Sequence, residues 1–341
     1  MKISNLLPAI KSEFDIDCDS DSLEKVVLRF AAPVLATTNE AVFITKPQLL
    51  EAACESLGGT VVLSKRLLAE ASDSQRSALS NKALIFCDFP YAFFAAAQAV
   101  LQEGSYIQFN QALSSQTPSD ANPSAIIHTS SHIHTSVNIG CDVAIGENTV
   151  IMPNVTIYDH VKIGKNCIIH SGTVLGSDGF GFAQYKKKWI KIPQTGTVVI
   201  ADDVEIGANC TIDRGTLGNT TIGRGTKLDN LVHIGHNCEI GEDCAITATV
   251  AMAGSSIIGN RVQMGGRASI LGHLSICDDV VISTNTVVSH SIHKPAQYTG
   301  FYPIAENAEW EKSAVLVRRL GKMRDELKEL KLQFTSLKNN T

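Results

Sequence analysis

The chain has 341 residues, of which 44% are hydrophobic, and a formal net charge of −5 at pH 7. This length allows two or three domains with substantial cores. The acidic balance and the absence of a basic stripe exclude nucleic acid as an expected partner. No stretch has the roughly 18 apolar residues that a transmembrane helix needs. The first residues also lack the apolar core of a signal peptide, so we expect a cytoplasmic protein.

Residues 1–113 predict a small α/β domain, because short apolar strands alternate there with helical segments. The predicted strands are 42–45, Thr60–Leu63 and Ala83–Cys87, and the predicted helices are 47–57 and 91–101, the second opened by Pro90. The polar, proline-bearing segment 114–124 is typical of a linker.

A six-residue period dominates the chain from Ile127 to Val288. An aliphatic residue or Met recurs at every sixth position from Ile127 to Leu175, at 200, 206 and 212, and from Ile222 to Val288. Neither a helix nor a simple strand has this period, but a solenoid of short parallel strands does. Three hexapeptides would form one triangular coil of eighteen residues. We therefore predict a parallel β-helix domain over 124–292, whose hand the period alone does not specify.

Two segments interrupt the period and must leave the solenoid as loops, which commonly carry function. The longer is 176–197, which combines glycines, aromatic residues and lysines, and the shorter is DRGTLGNT at 213–220.

The nine cysteines lack paired metal spacing such as C-x-x-C. Four of them occupy the small-residue position of the hexapeptide, four places after the aliphatic: Cys167, Cys210, Cys238 and Cys244. We interpret these as core packing and expect reduced thiols.

The carboxy-terminal region 305–341 changes to a heptad spacing. Its apolar positions are Leu316, Leu320, Met323, Leu327, Leu330, Phe334 and Leu337. This short seam, which also contains Gly321, predicts a helix that packs against symmetry mates or the solenoid end. Because solenoids of this kind usually trimerise, we expect a homotrimer.

The segment 229–237 is the densest in functional side chains. One coil above His236 stands Gly254, and the next is Gly272, so open space and an unobstructed backbone N–H are expected beside the imidazole. Asp229, seven residues earlier, is a candidate to hold the other ring nitrogen. On periodicity alone, a surface histidine is an equally good interpretation.

Zinc is the alternative use of the histidines in this segment, because some trimeric β-helix enzymes bind zinc with three histidines. His233 and His236 are three apart on a solenoid, so their side chains need not converge on one ion. We therefore expect no metal.

Four runs carry a specific resemblance: GSDGFGFA, KIPQTGTVVIADDVEIGANCTIDRGTL, DNLVHIGHN and MAGS. They resemble the UDP-3-O-(3-hydroxyacyl)glucosamine N-acyltransferase family of lipid A synthesis, over nearly the whole chain. The resemblance implies a left-handed β-helix. It also implies transfer of a (3R)-3-hydroxyacyl chain from acyl carrier protein to the 2-amino group of a UDP-3-O-acylglucosamine. No cofactor is implied beyond the carrier's phosphopantetheine, and no metal or covalent enzyme intermediate.

On this resemblance, His236 matches the catalytic base and Asp229 its orienting acid, while the N–H of Gly254 faces the thioester oxygen. His273 matches a second histidine near the active site; the alternative is an exposed turn residue. Asn230 and His233, in the same dense segment as His236, complete the solenoid's candidate substrate-binding residues.

The family's amino-terminal domain binds the uridine nucleotide, with an aromatic residue under the uracil. Phe43 and Pro47 match that motif, but Lys46 stands where the family usually has Asn, and Leu49 where it often has Tyr. Lys46 is instead a candidate to reach a phosphate of the nucleotide. On composition alone, Phe43 would be a core residue.

A cluster of basic residues on the final helix predicts a docking surface for the acidic acyl carrier protein. Its members are Arg318, Arg319, Lys322 and Arg324. The alternative is a solvated helix face. Two other functions stay open: a nucleotide-sugar acetyltransferase that uses acetyl-CoA, and a non-catalytic trimeric scaffold.

Overall fold

The structure, a computed structural model, describes residues 1–10, 14–18, 20–113 and 121–339. The chain forms two compact units, Met1–Ser115 and Gln116–Thr341. Most of the predicted linker, residues 114–120, lies outside the described residues.

The first unit is built on a four-stranded sheet in the order β1-β4-β3-β2, in which only β1 is antiparallel. The strands are β1 (Ile16–Cys18), β2 (Ala41–Phe43), β3 (Thr60–Leu63) and β4 (Ala83–Cys87). The helices are α1 (Ile3–Ile10), α2 (Leu50–Glu55), α3 (Lys65–Glu70), α4 (Asp73–Leu79) and α5 (Pro90–Leu113), with short 3₁₀ turns at Ser20–Glu24, Pro33–Leu35 and Pro47–Leu49. All four residues of β3 are buried, as expected for a central parallel strand.

The predictions for β3 and β4 are confirmed to the residue, and α5 starts at the predicted Pro90. The helix continues to Leu113, beyond the predicted end at 101. The sequence did not predict α1 and β1, whose residues lack a clear period.

The second unit is a parallel β-helix whose three faces are three parallel sheets. Sheet A contains Asn138–Ile139, Thr156–Ile157, Val174–Ser177, Thr211–Asp213, His233–Ile234, Ala251–Met252, Ser269–Ile270 and Val287–Val288. Sheet B contains Ile126–Ile127, Ala144–Ile145, Lys162–Ile163, Val198–Ile200, Thr220–Ile222, Glu239–Ile240, Ile257–Ile258 and Ser275–Ile276. Sheet C contains His132–Ile133, Val150–Ile151, Ile168–Ile169, Glu205–Ile206, Lys227–Leu228, Ala245–Ile246, Gln263–Met264, Val281–Ile282 and Gln297–Tyr298.

The hexapeptide aliphatics fill the interior of the coil, as predicted. Ile169, Ile212 and Ile234 are each 0% exposed. Their strands pair one coil to the next, as with Ile234 and Met252. The period of six therefore places one buried side chain on each face of the coil.

The third residue after the aliphatic repeatedly has a positive φ, which lets the chain turn a corner. Asn and Asp supply many of these turns, since their short polar side chains tolerate left-handed backbone angles. His160 (φ 67°), Asn237 (φ 60°) and His273 (φ 62°) are corner residues of this type.

The four hexapeptide cysteines are buried in the core as predicted, and all nine cysteines of the chain are free thiols. Burial raises the pKa of the Cys238 thiol to about 11. Cys238 is therefore a packing residue and a poor nucleophile at neutral pH.

The longer insertion forms an antiparallel hairpin of Phe182–Tyr185 and Lys188–Lys191. Lys186 (φ 48°) and Lys187 (φ 61°) form its two-residue turn, whose positive φ angles match the strand twist.

The solenoid continues past the predicted boundary at 292, because Gln297–Tyr298 pairs in parallel with Val281–Ile282. Helix α6 (Asn307–Asn339) then begins two residues inside the predicted region 305–341. Its apolar side chains Leu316, Leu320, Met323, Leu327, Leu330 and Phe334 are exposed. The side chain of Leu337 and residues 340–341 lie outside the described part of the chain. Within that part, no helix is long and apolar enough to cross a membrane.

Candidate active site

A cavity of about 450 Å³ opens on sheet A around the turn that follows His233–Ile234. Its lining residues are Phe180, Asp213, His233, Gly235, His236, Ala251, Met252, Ala253, Gly254, Ser269 and Ile270. Phe180 belongs to the GSDGFGF run, so the longer insertion contributes to this site. Imidazole, carboxylate and apolar groups meet here in one concave space.

His236 is held between two glycines. A Cβ atom added to Gly179 would lie 2.6 Å from the Cβ of His236, and one added to Gly254 would lie 2.6 Å from its Nε2. Either contact is far closer than real Cβ atoms approach. The ring can occupy this place only because both neighbours lack side chains.

Neutral groups fix the tautomer of His236. Its Nδ1 lies 3.1 Å from Oδ1 of Asn237 and 3.4 Å from Oγ1 of Thr216. Oδ1 of Asn237 also accepts the backbone N–H of Thr216 at 2.8 Å, which identifies that atom as the amide oxygen. Thr216 in turn donates its hydroxyl to the buried Gln194. Nδ1 therefore carries the proton, and Nε2 presents a lone pair toward Gly254.

The backbone N–H of Gly254 has no acceptor among the residues that the structure describes. At several other corners the equivalent N–H donates to the side chain one coil above: Ala208 to Asn230, Glu242 to Asn260, and Cys141 to Asp159. Above Gly254 stands Gly272, which has no side chain to offer. A developing oxyanion in the cavity would find this N–H free.

Within one chain, Asp229 does not contact His236, contrary to the expectation that it holds the other ring nitrogen. Its Oδ1 accepts the N–H of Asn230 and its Oδ2 the N–H of Ala248. Asp229 follows a strand of sheet C, whereas His236 follows a strand of sheet A, so seven residues carry the chain to another corner. Asp229 and Asn230 line a different cavity of about 470 Å³.

The carboxylate at the His236 site is Asp213, which the sequence did not reveal. It is 9% exposed and accepts the hydroxyl of Ser177 at 3.0 Å. Burial raises the pKa of Asp213, and the charges of His233 and His236 partly oppose that shift. The one signal in the sequence was its position directly after the aliphatic Ile212. Because the shorter insertion lengthens this coil, counting eighteen residues does not place Asp213 next to His236.

The other predicted substrate-binding residues of the solenoid are divided between sites. His233 lines the His236 cavity; its Nδ1 lies 2.8 Å from Oγ1 of Thr211 and its Nε2 lies 3.9 Å from Oδ2 of Asp213. The side-chain oxygen of Asn230 accepts the Ala208 N–H at 2.7 Å. His273 is an exposed corner residue two coils above the His236 turn.

Phe43 and Lys46 lie in the first unit. Phe43 is partly buried and its ring stacks on Phe94, with centroids 4.6 Å apart and planes at 19°. One face of the ring is thus already covered, and Lys46 is exposed. A cavity of about 770 Å³ at the carboxyl ends of the parallel strands includes Thr45 and Pro47, which flank Lys46.

The basic residues on α6 are exposed, but two of them have acidic neighbours. Lys322 lies 3.7 Å from Glu326, and Arg324 lies 3.1 Å from Asp325. Arg318 and Arg319 make no ion pair with any carboxylate in the described part of the chain.

Among described residues, one group of three or more candidate metal ligands is close-packed: Cys141, Asp142 and His160. His233 and His236 do not belong to such a group.

Comparison with known proteins first defines the class. Residues 142–177 and 219–254 match the family described as bacterial transferase hexapeptide (six repeats). A UDP-3-O-acylglucosamine N-acyltransferase from Polynucleobacter asymbioticus is 39% identical over 316 residues, which cover 86% of this chain and 88% of that protein. The chain belongs to the UDP-3-O-acylglucosamine N-acyltransferase family. The predicted fold class is confirmed: a left-handed parallel β-helix with a small amino-terminal α/β domain and a carboxy-terminal helix.

Other relatives match over less of their length. The UDP-3-O-acylglucosamine N-acyltransferase of Herminiimonas arsenicoxydans is 43% identical over 175 residues, so the alignment spans about half of each protein, 51% of this chain and 50% of that one. Among solved structures, the UDP-N-acetylglucosamine O-acyltransferase of Moraxella catarrhalis has a TM-score of 0.48 at 26% identity, covering 56% of this chain and 75% of that one.

Proposed function

We propose that the protein transfers a (3R)-3-hydroxyacyl chain from acyl carrier protein to the 2-amino group of UDP-3-O-(3-hydroxyacyl)glucosamine. The observation that carries this proposal is the proximity, in one cavity, of His236 Nε2 to Gly254, whose N–H has no acceptor among the described residues. Membership in the N-acyltransferase family supplies the substrate class.

The proposed reaction uses these two groups in sequence. The 2-amino nitrogen attacks the thioester carbonyl and forms the C–N bond, while His236 Nε2 accepts the amine proton. The N–H of Gly254 stabilises the oxyanion of the tetrahedral intermediate. When the C–S bond breaks, His236 returns the proton to the departing pantetheine thiolate. The products are an amide and a free thiol, without a metal, a further cofactor or a covalent enzyme intermediate.

Within one chain, the electrostatic role expected of Asp229 falls to Asp213. Its buried carboxylate faces the same cavity and favours the imidazolium that forms on His236. The Nδ1–H contacts of Asn237 and Thr216 keep the ring oriented during both proton transfers.

The first unit is proposed to bind the uridine nucleotide. Its large cavity lies at the carboxyl ends of parallel strands, where open α/β sheets commonly bind ligands. Phe43 offers the uracil only the ring face that Phe94 leaves uncovered, and the exposed ammonium of Lys46 is suited to a phosphate.

We propose a homotrimer that functions in the cytoplasm. The exposed apolar side chains of α6 recur at heptad spacing and favour a partner helix. The nine free thiols are typical of a reducing compartment.

A decisive test offers the full-length protein UDP-3-O-acylglucosamine with a mixed pool of 3-hydroxyacyl carrier proteins and, in parallel, acetyl-CoA. We expect a mass spectrum showing an N-(3-hydroxyacyl) product from the carrier pool alone. Acetylated product would favour the nucleotide-sugar acetyltransferase. Absence of turnover with both donors would favour a scaffold.

The carrier protein's docking surface is proposed to include Arg318, Arg319, Lys322 and Arg324. Arg318 and Arg319 are the sharper test, because both lack an ion-pair partner within the described chain. Arg318→Glu/Arg319→Glu should raise the KM for the carrier protein with little change in kcat, and the effect should shrink at high salt. A pantetheine thioester donor should be unaffected. Equal impairment on both donors, or none on either, would contradict docking at this helix.

A further inference from the structure

Away from the His236 cavity, two neighbouring coils bring a thiol, a carboxylate and an imidazole together. Each of Cys141, Asp142 and His160 offers one ligand atom, and these atoms lie within 4.8 Å of one another. Sulfur, oxygen and imidazole nitrogen are the donor types that zinc binds in proteins. The chemistry of the site described above does not use any of these residues.

The solenoid itself produces this grouping. Cys141 and Asp142 follow the strand Asn138–Ile139, and Asp159 and His160 follow the strand directly above it, Thr156–Ile157. The N–H of His160 donates to the carbonyl of Cys141 at 2.8 Å, and Asp159 accepts the N–H of Cys141 at 2.8 Å. Both corners are therefore fixed by the backbone, so the donor groups do not need to be assembled by a flexible loop.

The surrounding charges favour a cation. The group contains the carboxylate of Asp142, and Asp159 lies beside it. The neighbouring Arg214 donates to the backbone carbonyls of Gly176 and Asp159. The one ion pair within the group, His160 Nδ1 to Asp142 Oδ2 at 3.5 Å, is about half exposed on both sides. Such a pair contributes little to stability by itself.

We propose that Cys141, Asp142 and His160 form a zinc site on the lower coils of the solenoid. The donor atoms lie within 4.8 Å of one another, and side-chain rotation at this exposed corner brings them to the spacing of a tetrahedral site, with water as the fourth ligand. Zinc binds Cys141 as thiolate, so the thiol proton leaves to solvent when the Zn–S bond forms. The site is independent of the proposed acyl transfer.

The chain offers variants that keep the fold. His160 has a positive φ of 67°, and Asn occupies the same kind of corner at Asn148 and Asn166, so His160→Asn retains the turn. Cys141→Ser removes the sulfur from a turn outside the core. Cys277→Ser is the matched control, because Cys277 is also a partly exposed thiol followed by Asp, but it has no histidine beside it.

The experiment titrates the full-length, metal-free protein with Co²⁺ and then with Zn²⁺. Wild type and Cys277→Ser should show a thiolate-to-cobalt charge-transfer band that one equivalent of Zn²⁺ abolishes, and calorimetry should detect one released proton. Cys141→Ser should lose the band, and both Cys141→Ser and His160→Asn should bind Zn²⁺ more than about tenfold more weakly.

Thermal melts of the metal-free proteins should be alike, which separates ligand loss from unfolding. A wild type without the charge-transfer band would overturn the proposal. So would Cys141→Ser with wild-type Zn²⁺ affinity, or a loss in Cys277→Ser equal to that in Cys141→Ser.

Discussion

Two coils at the same corner of sheet A differ in whether a side chain accepts the backbone N–H of the turn. In the lower coils, the N–H of Cys141 is satisfied by the carboxylate of Asp159 above it. In the middle coils, the same position is occupied by His236, Gly254 and Gly272, and the Gly254 N–H is left without a partner among described residues. The side chain one coil above therefore accounts for whether the N–H at this corner has an acceptor. The absence of a side chain at Gly272 leaves this N–H open to the cavity, where we propose that the oxyanion forms.

The largest effect on activity should come from removing the side chain of His236, which lies one coil below Gly254. His236→Ala should lower kcat by about 10²–10⁴-fold, the usual consequence of losing a general base. The side chain is only partly buried, so the thermal midpoint should change little. Activity within about threefold of wild type would contradict the assignment of the base.

Restoring the missing acceptor should have the next largest effect. Gly272→Asn places an amide oxygen above the Gly254 N–H, as Asn260 does above Glu242. We expect a loss of about 10²–10³-fold in kcat, comparable to removing one oxyanion donor. Gly272→Ala is the control: its Cβ would lie 3.1 Å from the Gly254 carbonyl oxygen, a tight contact, but it supplies no acceptor. Equal losses in both variants would indicate crowding rather than a blocked N–H.

A smaller effect is expected from neutralising the carboxylate of the cavity. Asp213→Asn keeps the contact with Ser177 but removes the charge that favours an imidazolium, so kcat should fall about tenfold, or about 1.4 kcal/mol. Asp229→Asn should leave kcat nearer to wild type, because Asp229 faces another cavity. A larger loss of kcat in Asp229→Asn than in Asp213→Asn would instead support Asp229 as the orienting acid.

The same substitution should alter the pH dependence of stability. Burial raises the pKa of Asp213, so the folded chain binds this proton more tightly than the unfolded chain. Its contribution to stability is therefore present at low pH and falls as pH rises from the unfolded value near 3.9 through the raised folded value. Asn cannot ionise, so the melting temperature of Asp213→Asn relative to wild type should increase across that window. A pH-independent difference would contradict this.

The smallest effect on activity should come from freeing a backbone N–H at a corner that lies outside the candidate active site. Asn260→Ala removes the acceptor of the Glu242 N–H and should destabilise the solenoid by about 0.5–1.5 kcal/mol. Activity at saturating substrate should be unchanged, since this corner belongs to sheet B. A large loss of activity would show that the hydrogen-bond ladders act on the site at a distance.

The sequence predicted the solenoid well because every buried position repeats at one fixed interval, and a single burial rule governs all three faces. It placed Gly254 one coil above His236 for the same reason, since no insertion separates them. It failed for Asp213 because the insertion that begins there shifts the count: Val199 pairs with Thr221, twenty-two residues later, rather than eighteen. The contact of Thr216 with His236, and that of Gln194 with Thr216, were equally hidden, because insertions have no period from which to infer position.

These insertions have a second consequence, for folding. A chain that repeats every eighteen residues has a competing structure in which one coil pairs with the wrong neighbour, and nearly every buried aliphatic is still buried. Across the hairpin insertion, Lys162 pairs with Val199, Ile168 with Glu205 and Val174 with Thr211, so one coil has the same long offset on all three faces. A slipped pairing would force the hairpin residues into an interior that holds one aliphatic side chain per face. The hairpin therefore marks the position of the coil to which it belongs, and deleting it should produce additional slow refolding phases as slipped pairings form and dissolve.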